Sequence, residues 1–119
     1  MKGQTYRQTI RDHLASAYLL TEEKIDAVLP AFLDTLLAHM LRLEKNLADN
    51  DLEQLAKSGH VLKGALLNLG LHELADMAHA IEQCCATPAT VPELPQQVSR
   101  LRTEIASFTR QAPRRTKQR

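Results

Sequence analysis

Tyr6, Ile10, Leu14 and Ala17 recur at spacings of four, four and three, the repeat of one helix face, and predict a short amphipathic helix from about Thr5 to Leu20. Thr21 is a good N-cap, with Glu22 and Glu23 where a helix dipole favours acids, so a second helix starts there. Its apolar series is Ile25, Leu29, Phe32, Leu36, Met40, Leu43 and Leu47. Pro30 lies inside this series and cannot donate a backbone hydrogen bond, yet the series keeps its phase across it, which favours a kink over a break. Asn46 to Asp51 reads as a turn. A third helix is expected from about Asp51 to Leu69, ended by Gly70 as a C-terminal cap residue.

The fourth helix, Leu71 to about Cys85, sets Leu71, Leu74, Ala75, Ala78 and Ile81 on one side. Thr87 to Thr90 reads as a linker, and Pro92 and Pro95 are tolerable only in or before a first helical turn. The fifth stripe, Leu94, Val98, Leu101, Ile105 and Phe108, is spaced four, three, four and three, the seam of a bundle helix. Four long helices joined by short turns predict an all-α, up-down-up-down four-helix bundle, with the additional N-terminal helix packed across one end or side.

Composition narrows the class. The chain of 119 residues fits one domain, and its Leu, Ala, Gln, Glu, Lys and Arg lose little entropy in a helix. We expect a single bundle over residues 1–112 and a basic, disordered tail over 113–119. The two cysteines, Cys84 and Cys85, are adjacent, match no zinc or redox spacing and cannot staple distant segments, which suggests a reducing compartment. The start of the chain has no apolar signal-peptide core and no stretch resembles a membrane span, so a cytoplasmic protein is expected. The formal net charge is +1, with Arg110, Arg114, Arg115, Lys117 and Arg119 gathered at the end. Without interleaved aromatic residues this reads as a solvated terminus rather than a nucleic-acid site.

On a helical wheel Leu52, Leu55, Gly59, Leu62, Leu66 and Leu69 form the core arc of the third helix, and His60 falls roughly 130° from its centre, on the solvent side. Ala56, Lys63, Gly64 and Leu67 share that exposed stripe at contact spacing, with Lys57 beside them. A glycine inside a helix costs about 1 kcal/mol relative to alanine, so Gly64 calls for a compensating reason, such as close approach of another molecule. Ala56 and Gly64 leave the ring uncovered, Leu67 offers apolar contact, and Lys63 and Lys57 place positive charge where a dianion would sit. Imidazole, with a reference pKa of about 6.5, is a competent nucleophile near neutral pH.

His60-Val61-Leu62-Lys63-Gly64, continued to Asn68-Leu69-Gly70, resembles the His-x-x-Lys-Gly…Asn-Leu-Gly signature of histidine phosphotransfer (HPt) domains. Phe32, Asp51-Leu52 and Ile81-Glu82 extend the resemblance over roughly residues 25–82. It implies a four-helix bundle, phosphorylation of His60 at Nε2, a Lys63 that steadies the phosphoryl group and a Gly64 that lets a receiver domain approach. It further implies a phosphoryl carrier without catalytic activity of its own. Its partners would be receiver domains of response regulators or hybrid sensor kinases, which bring the Mg²⁺, so no cofactor or metal is expected in this chain. Gly59 and Ala65 depart from the commonest family residues without removing a required group.

Leu37 and Leu41 lie off the core arc of the second helix. They either extend the docking surface beside His60 or pack against the N-terminal helix. His72-Glu73-Leu74 echoes the His-Glu box of sensor kinases, but Met77 stands where a proline is expected. His72, Asp76 and His79 share a helix side but lack a fourth ligand, and read as a solvated flank. His13 and His39 read as structural. No glycine-rich phosphate loop, nucleophile elbow or zinc-protease motif is present. A monomer is expected. The alternative is a helical docking module that binds and regulates a receiver or kinase without carrying phosphate.

Overall fold

The computed structural model describes residues 2–109 of the chain; the basic tail expected over 113–119 lies outside them. Five α-helices follow in order: α1 Lys2–Ala17, α2 Glu22–Ala48, α3 Leu52–Asn68, α4 His72–Ala86 and α5 Leu94–Thr109, with a 3₁₀ turn at Pro88–Glu93. Helices α2 to α5 form a closed ring in which each packs on the next and α5 returns to α2, while α1 rests on α5 and α2. This is the four-helix bundle with an added N-terminal helix.

The helix ends follow the local chemistry. Thr21 accepts from the Lys24 amide at 3.2 Å and Asp51 from the Gln54 amide at 3.1 Å, capping α2 and α3. Both helices end on a left-handed residue, Asn50 at φ 57° and Gly70 at φ 78°. The following amides, of Asp51 and Leu71, donate to carbonyls five residues back, the Schellman closure. Gly70 is further fixed by His13, whose ring would lie within 2.9 Å of an added Cβ. Helix α2 runs unbroken through Pro30.

Ile25, Leu36, Met40, Leu55, Leu62, Leu66, Leu74, Ile81, Leu101 and Phe108 are among the fully enclosed core residues. Three expectations need correction. Phe32 is exposed and Leu33 takes its place in the core; adjacent residues lie only about 100° apart on a helix, so the core arc passes one position along. Leu52, the first residue of α3, is partly exposed and lines a surface depression with Leu47 and Val91 instead of entering the core. Thr87 to Thr90 is not a plain linker: it enters the 3₁₀ turn, where the Thr90 hydroxyl donates to the Thr87 and Cys84 carbonyls at 2.8 and 3.0 Å.

Helix α1 starts and ends three residues earlier than expected. Gly3 lies against the α5 backbone so closely that an added Cβ would stand 2.3 Å from the Ser107 carbonyl oxygen. At the other end Leu19 takes φ 58° and is fully outside the core, so the chain turns at Tyr18 to reach α2. No helix among the described residues is long and apolar enough to cross a membrane.

Candidate functional site

Helices α3 and α4 make the closest pair in the bundle, and small residues are the reason. An added Cβ on Gly59 would sit 3.4 Å from the Ala78 carbonyl oxygen and 3.6 Å from Glu82 Cβ. Ala75 and Ala78 continue this thin seam, and Glu82, one turn further, is thereby carried alongside His60.

The His60 side chain is 66% exposed, and its Nδ1 lies 3.3 Å from Glu82 Oε2. Nδ1 thus faces the protein and Nε2 is left to face solvent. The other Glu82 oxygen, Oε1, is buried and accepts no hydrogen bond. Its basic neighbours are Lys63 Nζ at 3.7 Å and His79 Nδ1 at 3.6 Å, and these two stand 3.3 Å from each other. His60, Lys63, His79 and Glu82 therefore form one cluster over the α3–α4 seam.

Lys63 leans along α4 into this cluster, with its side chain only 24% exposed. Lys57 stays in solvent and makes a loose 3.8 Å pair with Glu53, a contact of little energetic weight. Ala56, Lys57 and Val61 join Glu82 around a shallow depression at His60. Above Gly64 an added Cβ would meet nothing within 4 Å, so the surface one turn beyond His60 is open. Leu67 is exposed on the α4 side of the same face.

Leu37 and Leu41 do not join this patch. Glu44, which shares their flank of α2 at i+7 and i+3, pairs with Arg102 of α5. The α2 side that meets α3 is instead the row Ala38, His39 and Arg42, which lines a groove with Gln54, Lys57 and Val61. His39 is therefore a groove residue, whereas His13 packs on Gly70 and meets the Tyr18 ring edge-on at 5.8 Å.

Sequence reasoning assigned no role to Glu82 and considered His79 only as a metal ligand. The available signal was the row Ala75, Ala78 and Glu82: an acid ending a row of small residues must lie beside the helix that the row admits. Among the described residues no group of three or more His, Cys, Asp or Glu side chains could hold a metal ion, and His72, Asp76 and His79 form no such site. Cys84 Sγ donates to the Thr90 carbonyl at 2.8 Å. Burial, then the neighbouring Cys84 and Glu82, push the Cys85 thiol up, away from the thiolate that redox chemistry uses.

No match was found among curated proteins or among solved structures. Residues 27–111 match the family model described as Hpt domain, a span that runs from the second turn of α2 through α5 and contains His60, Lys63, Gly64 and Glu82. The match covers well over half of the chain, and the chain belongs to the Hpt domain family.

Proposed function

We propose that the protein is a phosphorelay intermediate that carries a phosphoryl group on His60 between receiver-domain aspartates. Hpt domains are phosphocarriers rather than catalysts, and the family interacts with receiver domains. The observation that carries the reading is the half-tethered imidazole, exposed at Nε2 and held at Nδ1 by Glu82 3.3 Å away.

The chemistry follows from that tether. With the proton on Nδ1, the Nε2 lone pair is free to attack the phosphorus of an aspartyl phosphate. The N–P bond forms as the P–O bond to the aspartate breaks, and the carboxylate leaves with the bonding electrons. The ring gains positive charge, which Glu82 offsets from the far side of the imidazole. The reverse step delivers the phosphoryl group to a second aspartate.

Lys63 already neutralises Glu82. To steady the phosphoryl group its ammonium swings out of the cluster toward Nε2, and His79 then remains beside Glu82. Lys57 adds positive charge at the rim. The receiver supplies Mg²⁺, and the carrier works as a cytoplasmic monomer that binds neither nucleic acid nor membrane. Ala56, Gly64 and Leu67 belong to the docking surface.

The test is to mix the protein with a sensor kinase and receiver from its own host, ATP and Mg²⁺, and follow acid-labile phosphate. Label on wild type that is absent from His60→Gln is the expected result. Receiver binding with no label on wild type would replace the carrier by a non-phosphorylated docking module.

A further inference from the structure

Ser58 and Thr109 are the buried polar residues among the described ones. Thr109 is satisfied within its own helix, its hydroxyl donating to the Ile105 carbonyl at 2.8 Å. Ser58 instead meets the side-chain amide of Asn46, in the last turn of α2. The neighbours of that amide fix its orientation. Its nitrogen reaches the Ser58 hydroxyl, the Gln54 carbonyl of α3 at 3.3 Å and the Arg42 carbonyl of its own helix at 3.2 Å, three oxygen atoms, two of them carbonyls, that call for an N–H group. Asn46 thus ties α2 to α3 through directional bonds. The surface of this boundary opens into a depression on either side of the tie, one lined by Arg42, Lys57 and Val61 and the other by Leu47, Asn50 and Leu52.

Ser58, Gly59 and His60 are consecutive, so they point about 100° apart round α3. Ser58 is bonded to α2, Gly59 lies against the Ala78 carbonyl of α4, and His60 is left facing outward. The Gly59 contact limits how closely α3 approaches α4, but van der Waals contacts are individually weak and favour no single angle. The roll of α3 about its own axis is set by the Asn46 bonds. A roll of about 15° carries an atom about 6 Å from the axis through about 1.5 Å. His60 Nδ1 stands 3.3 Å from Glu82 Oε2, so such a roll away from α4 takes the pair beyond hydrogen-bonding range.

We infer that Asn46, acting through Ser58 and the Gln54 carbonyl, is a positioning residue for phosphotransfer, setting the roll of α3 that holds His60 Nδ1 at Glu82 and turns Nε2 toward the partner. The inference rests on the carrier reading of His60. Neither Asn46 nor Ser58 belongs to the cluster of His60, Lys63, His79 and Glu82, and neither offers a group to the phosphoryl centre. A buried polar pair of this kind specifies one arrangement where apolar contacts would accept several. Misplacing a reacting group by about 1 Å can cost about a hundredfold in rate, so a small roll of α3 is enough to slow transfer while the bundle stays folded.

The test compares wild type with Ser58→Ala, Asn46→Asp and the double variant Asn46→Leu/Ser58→Ala. The phosphodonor is a receiver domain from the same host, phosphorylated on its aspartate with acetyl phosphate and Mg²⁺. Asn46→Asp keeps the shape but sets a carboxylate against two carbonyls, and the transfer rate at saturating receiver should fall about tenfold with an unchanged half-saturating concentration. Ser58→Ala should lose about threefold and carries the test if Asn46→Asp fails to fold. The double variant replaces both polar partners, so it should melt within about 4 °C of wild type yet transfer about tenfold more slowly. Nitrogen-15 NMR of His60, which needs no receiver, should show the Nδ1–H tautomer losing population in the same variants. Wild-type transfer and an unchanged tautomer ratio in the folded variants overturn the positioning role and leave the carrier reading standing. A wild type that takes no label from any receiver, alongside a shifted ratio in the variants, overturns the carrier reading and upholds Asn46 as the residue that orients the ring.

Discussion

His60 Nδ1 and Glu82 Oε2 stand 3.3 Å apart across the seam between α3 and α4, and this pair decides which ring nitrogen is free. A carboxylate this close to Nδ1 favours the ring proton on that nitrogen and so leaves Nε2 as the nucleophile. Glu82→Ala should therefore slow phosphotransfer about tenfold, equivalent to about 1.4 kcal/mol, by removing the carboxylate that offsets the charge the ring gains. Nitrogen-15 NMR of His60 should show the Nδ1–H tautomer losing population in the same variant. An unchanged tautomer ratio and an unchanged rate would leave Glu82 with a packing role only.

Lys63 is held by Glu82 and His79 rather than extended into solvent, which sharpens what its removal should do. Lys63→Ala takes away the ammonium and leaves the buried Glu82 Oε1 with His79 as its basic neighbour, so the melting temperature should fall by about 4–8 °C without loss of the fold. The phosphohistidine lifetime or the transfer rate should fall. Both are read from the decay of acid-labile label in the presence and absence of receiver. Kinetics identical to wild type would remove Lys63 from the mechanism.

Much of this was readable from the chain. The core stripe of α5 follows from spacing because Val98 and Leu101 are flanked only by polar residues, Gln97, Ser99, Arg100 and Arg102, so no apolar rival can displace the arc. Phe32 and Leu33 are such rivals, and only the packing of both neighbouring helices decides between them. The end of α1 carried no glycine to mark the left-handed turn that Leu19 makes. His60 stood out through its neighbours on one helix. Glu82 did not, because its contact depends on the register of α4 against α3, which Gly59, Ala75 and Ala78 set by their small size.

Gly64 separates folding from docking. Its added Cβ would meet nothing, so Gly64→Ala should raise stability by about 1 kcal/mol through helix propensity. Gly64→Gln should stabilise nearly as much, yet transfer from a receiver should drop at least about tenfold, since a long side chain would fill the space a partner needs. Urea denaturation and transfer rates on the same samples read both effects. Full transfer activity in the Gln variant would show that no partner approaches this point closely.

Tyr6 ties α1 to the bundle, donating to Glu104 Oε1 at 2.6 Å and packing its ring 5.3 Å from Phe108. Burial, then the hydrogen bond to Glu104, hold its phenol well above the ordinary tyrosine range. The folded state therefore keeps a proton that the unfolded chain releases near pH 10. Stability from this group is complete below about pH 10 and falls as the pH rises toward the folded value. Tyr6→Phe should cost about 1 kcal/mol at neutral pH and flatten the alkaline decline in urea midpoints between about pH 9 and 11. A decline as steep as wild type would place the alkaline sensitivity elsewhere.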